Sequence, residues 1–203
     1  MRLRRGVGPV GALAVSLVLA GCGSPPWASP QPHLYSPVNG SFGVGQSGLA
    51  PRGRVSQGDI PLCIDQSGTV TITSVEPITS TNGMKVLDFA VRSVPAGGTE
   101  IGGAVGDLTS LGMTKAEQQV RQVSTVCNAQ ERSNVGLDPG TDTSDRTTRI
   151  DLVVTMGADA LPADIRGLRI HYRVNGVEGS TESRVSFAMC GGKITDDCNP
   201  PAI

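Results

Sequence analysis

The sequence lacks most of the residue patterns by which enzymes can be read. Only two histidines occur in 203 residues. Neither the Gly-x-Ser-x-Gly turn of a serine hydrolase nor the His-Glu-x-x-His helix of a zinc protease is present. None of the five cysteines is spaced Cys-x-x-Cys and no histidine cluster lies beside them, which argues against a structural zinc site. The five methionines are scattered singly, so no soft-ligand copper constellation forms in the sequence. The glycine-rich stretch "AGGTEIGGAVGD" is not followed by Gly-Lys-Ser/Thr and is therefore no phosphate loop. Long hydrophobic runs are also missing. The one apolar segment, residues 6–21, falls short of the about 20 residues that cross a bilayer and is weakened by Gly8, Pro9 and Gly11. These absences lead to the expectation of no catalytic residue, no metal ligand and no cofactor.

What is present begins with an address. Arg2, Arg4 and Arg5 precede the apolar segment, the layout of an export signal. At its end stand Leu19, Ala20, Gly21 and Cys22, which resemble the lipobox of bacterial lipoproteins. The resemblance implies that residues 1–21 are a signal peptide removed on export and that Cys22, carrying a diacylglyceryl group, becomes the first mature residue. Two acyl chains, at about 0.8 kcal/mol per buried methylene, hold a protein on a membrane much better than one. The expected location is the outer face of the cytoplasmic membrane, with the membrane as a partner through the lipid anchor.

Setting Cys22 aside leaves Cys63, Cys127, Cys190 and Cys198, an even number in an exported chain, which reads as two disulfides. Four cysteines permit three pairings. The flexible loop "CGGKITDDC" favours Cys190 with Cys198, leaving Cys63 with Cys127. Removing residues 1–21 takes away three of 17 basic residues and none of 18 acidic ones, so the mature chain carries 14 against 18, a net charge of −4. Nucleic acid is therefore not an expected partner.

Residues 23–58 contain six Pro, seven Gly and six Ser and show no periodic apolar pattern, so residues 22–58 read as a flexible tether behind the lipidated cysteine. Trp27, Tyr35 and Phe42, half of the six aromatic residues, fall in this stretch. They suggest a second reading, a docking peptide around "HLYSPVNGSFGV" that folds onto a partner or onto the domain itself.

Residues 59–203 carry strand periodicity. Ile150, Leu152, Val154 and Met156 share one face, as do Leu168, Ile170, Tyr172 and Val174, and Val185, Phe187 and Met189. Asn175 and Gly176 mark a tight hairpin between the last two runs. "TVTITSVE" and "KVLDFAVR", joined by "STNGM", read as another hairpin, with Leu87, Phe89 and Val91 inward. Thr114 stands three residues before Glu117, a capping-box pattern, and with Val120, Val123 and Cys127 it predicts a short helix. The expected fold is a mainly β, immunoglobulin-like two-sheet sandwich with one short helix. The fragments "PLCID", "TVTITSVEP", "LDFAVR", "GLRIHYRV" and "FAMC" are similar to small actinobacterial lipoproteins, a resemblance that implies no known activity.

Arg166, Arg169, His171 and Arg173, with Arg184 on the paired strand, form a basic stripe and the candidate binding patch. Asp138, Asp142 and Asp145 lack the alternate spacing of a calcium-binding EF-hand loop and read as an acidic turn. The resulting expectation is a non-catalytic, lipid-anchored interaction module facing an envelope protein or wall polymer. The alternatives are a small-ligand carrier or transporter accessory and, behind it, a wall hydrolase.

Overall fold

The computed structural model describes residues 31–45, 53–95, 102–138 and 148–191. The signal segment, Cys22, Trp27, Asp142, Asp145 and Cys198 lie outside these residues.

The period-two runs become the centres of two sheets. β9 (Thr148–Gly157) turns Leu152, Val154 and Met156, each at most 1% exposed, to the main core. β10 (Ala163–Val174) contributes Leu168, Ile170, Tyr172 and Val174 to the same core, and β11 (Val177–Cys190) contributes Val185, Phe187 and Met189. Each large side chain so buried is worth about 1.5–3 kcal/mol. β10 and β11 form the expected antiparallel hairpin, closed by the Val174–Val177 pair. Asn175 and Gly176, at φ 48° and 85°, supply the positive dihedrals that such a turn requires.

Ahead of these lie β1 (Leu34–Tyr35), β2 (Asn39–Gly45), β3 (Arg54–Pro61), β4 (Cys63–Ile64), β5 (Val70–Ser80), β6 (Lys85–Pro95), β7 (Gly103–Val105) and β8 (Gln122–Val123). The first sheet has the order β2-β11-β10-β5-β8 and the second β6-β9-β3-β7, while β1 and β4 form a two-stranded ribbon. The two sheets close on one core that draws residues from both. The fold is thus mainly β, with sheets packed face to face and, among the described residues, one short α-helix.

Several local expectations give way to tertiary hydrogen bonding. The fold begins well before Asp59, in the unit Gln31–Ile203. Strands β1, β2 and part of β3 come from the stretch read as tether, with Leu34 and Val55 at 2% and 0% exposure. Phe42 stacks on Phe187, ring centroids 5.8 Å apart, so the aromatic segment docks on the domain itself. Its Gly- and Pro-rich composition hides strands because β2 is an edge strand that needs only one neighbour, β11, with which it runs parallel.

β5 and β6 are not a hairpin. Their connection has the expected turn geometry, Asn82 and Gly83 at φ 47° and 67°, but β5 pairs with β10 and β6 with β9, in different sheets. The crossing is fixed by the loop between β9 and β10 and by the start of β10. Thr81 donates its N–H to the Asp164 carbonyl (2.9 Å) and its hydroxyl to the Asp164 carboxylate (2.7 Å), and Asn82 accepts the Asp159 N–H (3.0 Å). Leu87 does not point inward. A register shift between Val86 and Asp88 makes it the extra residue of a bulge, 42% exposed, while Val91 returns to the core and Phe89 is half-buried.

The capping box at Thr114 forms, with the Glu117 carboxylate accepting the Thr114 N–H and hydroxyl at 2.8 Å, yet only a 3₁₀ turn, Glu117–Gln119, follows. The backbone beyond it is claimed by the sheet edges: Val91 N–H donates to the Val120 carbonyl (2.9 Å) and Ile72 N–H to that of Arg121 (2.8 Å). The α-helix is instead α1 (Ala129–Asn134), capped by Asn128 and Glu131 in a reciprocal box. The sequence Asn-x-x-Glu carried this signal. Within the glycine-rich stretch, β7 forms against β3, and a 3₁₀ turn, Leu108–Leu111, lays Leu108 with Met113 over Ala90 and Val153 as a second small core.

Candidate functional site

The stripe residues do reach one outer face, but they are not a bare basic patch. Arg166 lies 3.4 Å from the Asp164 carboxylate. Arg169 bridges Glu182 at 3.0 Å and Glu76 at 3.8 Å. His171 Nε2 lies 3.1 Å from the Glu76 carboxylate, and Arg173 Nε donates to Glu178 at 2.8 Å. The glutamates come from β5 and β11, on either side of β10, so cross-strand pairing turns the stripe into a charge ladder. Each exposed pair is worth about 0–1 kcal/mol, so the ladder's main effect is to cancel the net field of this face. Sequence reading along β10 alone missed the acidic flanks because they are non-local. Arg184 is the exception: among the described residues it has no carboxylate partner.

Arg184 lines a cleft of about 230 Å³ together with Tyr35, Ser36, Asn134, Val135, Thr181 and Glu182. Three elements converge there. β1 brings Tyr35, the end of α1 brings Asn134 and Val135, and β11 brings Thr181, Glu182 and Arg184. Ser36 donates its hydroxyl to that of Ser183 (2.9 Å), holding the chain after β1 against β11. Burial, and then the negative charge of Asp65, hold the Tyr35 hydroxyl above the usual tyrosine range, so it is protonated and able to donate at neutral pH.

The ribbon that carries Tyr35 is anchored by the Cys63–Cys127 disulfide, whose two cysteines are fully buried. Around it, Cys127 N–H donates to the Ile64 carbonyl (2.8 Å) and Ile64 N–H to that of Thr125 (2.9 Å). Arg132 of α1 donates Nε to the Cys127 carbonyl (3.1 Å) and Nη2 to that of Asp65 (2.5 Å). His33 N–H closes the other side on the Asp65 carboxylate at 2.8 Å. The bridge therefore fixes both β1 and α1, the two walls of the cleft. Glu131 lies within 4.8 Å of both sulfurs, but these are bonded to each other and its carboxylate accepts the Asn128 N–H (2.9 Å). Cys190 is 2% exposed and also disulfide-bonded.

A second polar cluster serves the scaffold. Arg149 donates Nε and Nη2 to the two carboxylate oxygens of Asp151, both at 2.8 Å, and Nη2 to Asp59 at 3.0 Å. Asp151 is fully buried, and Asp59, at φ 60°, sits in the bulge where β3 shifts register against β9. The pair of carboxylates around one guanidinium pins that bulge. No protein-family model, curated protein or solved structure matches the chain, so the reading of its function rests on its own residues.

Proposed function

We propose that this chain is a lipid-anchored, extracytoplasmic interaction module, held on the outer face of the cytoplasmic membrane through Cys22 and acting by binding an envelope protein or wall polymer rather than by catalysis. The observation that carries the reading is the buried Cys63–Cys127 disulfide in a chain that opens with a basic, then apolar segment ending in Leu-Ala-Gly-Cys. Such bridges belong to oxidising, exported compartments. Strand order supports an immunoglobulin-like module. With β3, β5, β6, β9, β10 and β11 as B, C, D, E, F and G, the sheets run D-E-B and C-F-G, as in immunoglobulin domains. The cleft beside β11, at about 230 Å³, is smaller than the about 300–1,000 Å³ of small-ligand pockets.

The test is crosslinking of the tagged full-length protein in its host's membranes, with mass spectrometry of Cys22 and of whatever is attached. Acyl-chain mass on Cys22 and a discrete partner that disappears in Cys22→Ala are expected. An unmodified Cys22 overturns the anchor, and recovery of the protein alone overturns the module.

A further inference from the structure

The cleft lies where one strand stops short. β11 runs for fourteen residues, and β10 accompanies it along nearly all of that length. On the other side β2 pairs with it only from Arg184, opposite Asn39, to Cys190, opposite Gly45. Residues 177–183 therefore have one hydrogen-bonded neighbouring strand, β10, and among the described residues no strand pairs with their other edge, which the chain after β1 closes at its far end where Ser36 bonds to Ser183. Hydrogen bonding alternates along an antiparallel strand. Counted from the Val174–Val177 pair that closes the turn, the backbone groups of Glu178, Ser180 and Glu182 face away from β10. No backbone hydrogen bond outside the sheets reaches them among the described residues.

Resting on the reading of the domain as an interaction module, we propose that this open edge binds the extended C-terminal segment of a protein partner, added as a strand beside residues 177–182 with its terminal carboxylate on Arg184. The direction follows from what blocks the edge. Ser36 is bonded to Ser183 and Asn39 already occupies the position opposite Arg184, so an added strand has to end just before them. Running parallel to β11, as β2 does, it brings its C-terminus to that end. Running the other way, it would set a terminal ammonium beside the guanidinium. Arg184 is the one stripe cation left without a carboxylate partner among the described residues, and charge-assisted bonds from a fork of N–H donors to a carboxylate are the strong ones. Tyr35 and Thr181 add hydroxyls at the same end. The cleft, at about 230 Å³, has room for a chain end. Along the edge, Glu178 and Glu182 guard against indiscriminate pairing, which is how natural sheets protect open strands.

The experiment uses the full-length protein in detergent micelles on an array of hexapeptides of varied sequence, immobilised by their N-termini, each with a free C-terminal carboxylate or as the amide. A subset of the acids should bind. Amidation of the peptide, or Arg184→Gln on the protein, should each weaken binding about tenfold or more, the loss of a charge-assisted hydrogen bond. Arg184 is exposed, so its replacement leaves the fold intact, which the far-ultraviolet circular dichroism checks. Hydrogen exchange at Ser180 and Glu182 should slow with the peptide bound. Binding to none of the acids, or binding indifferent to amidation and to Arg184→Gln, overturns the inference. A membrane partner crosslinked equally well by Arg184→Gln also overturns it while leaving the module reading standing, and loss of that partner in a variant still acylated at Cys22 supports both.

Discussion

Replacing Cys63 and Cys127 together by alanine tests how far one covalent bond organises the cleft side of the domain. The bridge joins residues 64 apart in sequence, and the chain-entropy estimate for a loop of that length is about 4 kcal/mol of constraint on the unfolded chain. Both cysteines are fully buried, so removing the sulfurs forfeits native contacts of about 1 kcal/mol each, close to the value of a buried methylene. A loss of about 4–6 kcal/mol is large beside the 5–15 kcal/mol by which whole domains are stable. Substitution is preferable to a reductant, because Cys190 is disulfide-bonded as well. Equilibrium urea unfolding, followed by far-ultraviolet circular dichroism, should show the midpoint lowered by about 2 M or more at a typical slope of about 2 kcal/mol/M. The slope should rise, because the released unfolded chain exposes more surface. Amide exchange should quicken first at Ile64 and Cys127, whose backbone bonds flank the bridge, and then in β1. A shift below about 1 kcal/mol with an unchanged slope would refute the reasoning and show that backbone bonding alone holds the ribbon and α1.

Two further outcomes follow from the same structure. Gly179→Ala, checked by the same unfolding assay, should destabilise by about 1–3 kcal/mol, because its Cβ would lie 2.7 Å from ring carbons of the buried Tyr172; a neutral or more stable variant would contradict the placement of that ring. Asp107 and Glu117 are held below the usual carboxylate range, first by the hydroxyl hydrogen bond from Thr109 and by the N–H of Thr114 respectively, so their contribution is complete above their unfolded values near pH 4 and lost as pH falls through the lower folded ones. Asp107→Asn with Glu117→Gln should therefore be least stable relative to the parent above about pH 5 and converge with it in acid, and a pH-independent difference in unfolding midpoint would exclude this linkage.

The sequence by itself determined what short-range chemistry decides. The alternating faces of β9, β10 and β11 follow from side-chain period, because a one-residue slip would put Leu152, Ile170 or Phe187 into water. The Asn175–Gly176 turn follows from backbone dihedrals that few other residues tolerate. The Cys63–Cys127 bridge was legible in the count and spacing of cysteines. Tertiary structure decided which neighbour each backbone took. Residues 120–121 leave helix geometry because the edges of β5 and β6 offer them hydrogen bonds. β5 and β6 separate into two sheets although their turn would serve a hairpin. A stretch rich in glycine and proline becomes β1 and β2 because Leu34 and Phe42 find a core already formed by distant residues. The candidate site belongs to this second kind: the arginines of β10 read as a basic patch until β5 and β11 set glutamates beside them, whereas the position opposite Arg184 on β2 is Asn39, not a carboxylate. Periodicity and turn chemistry are carried by a few consecutive residues, whereas the partner of a strand edge or of a charge is chosen across the whole chain.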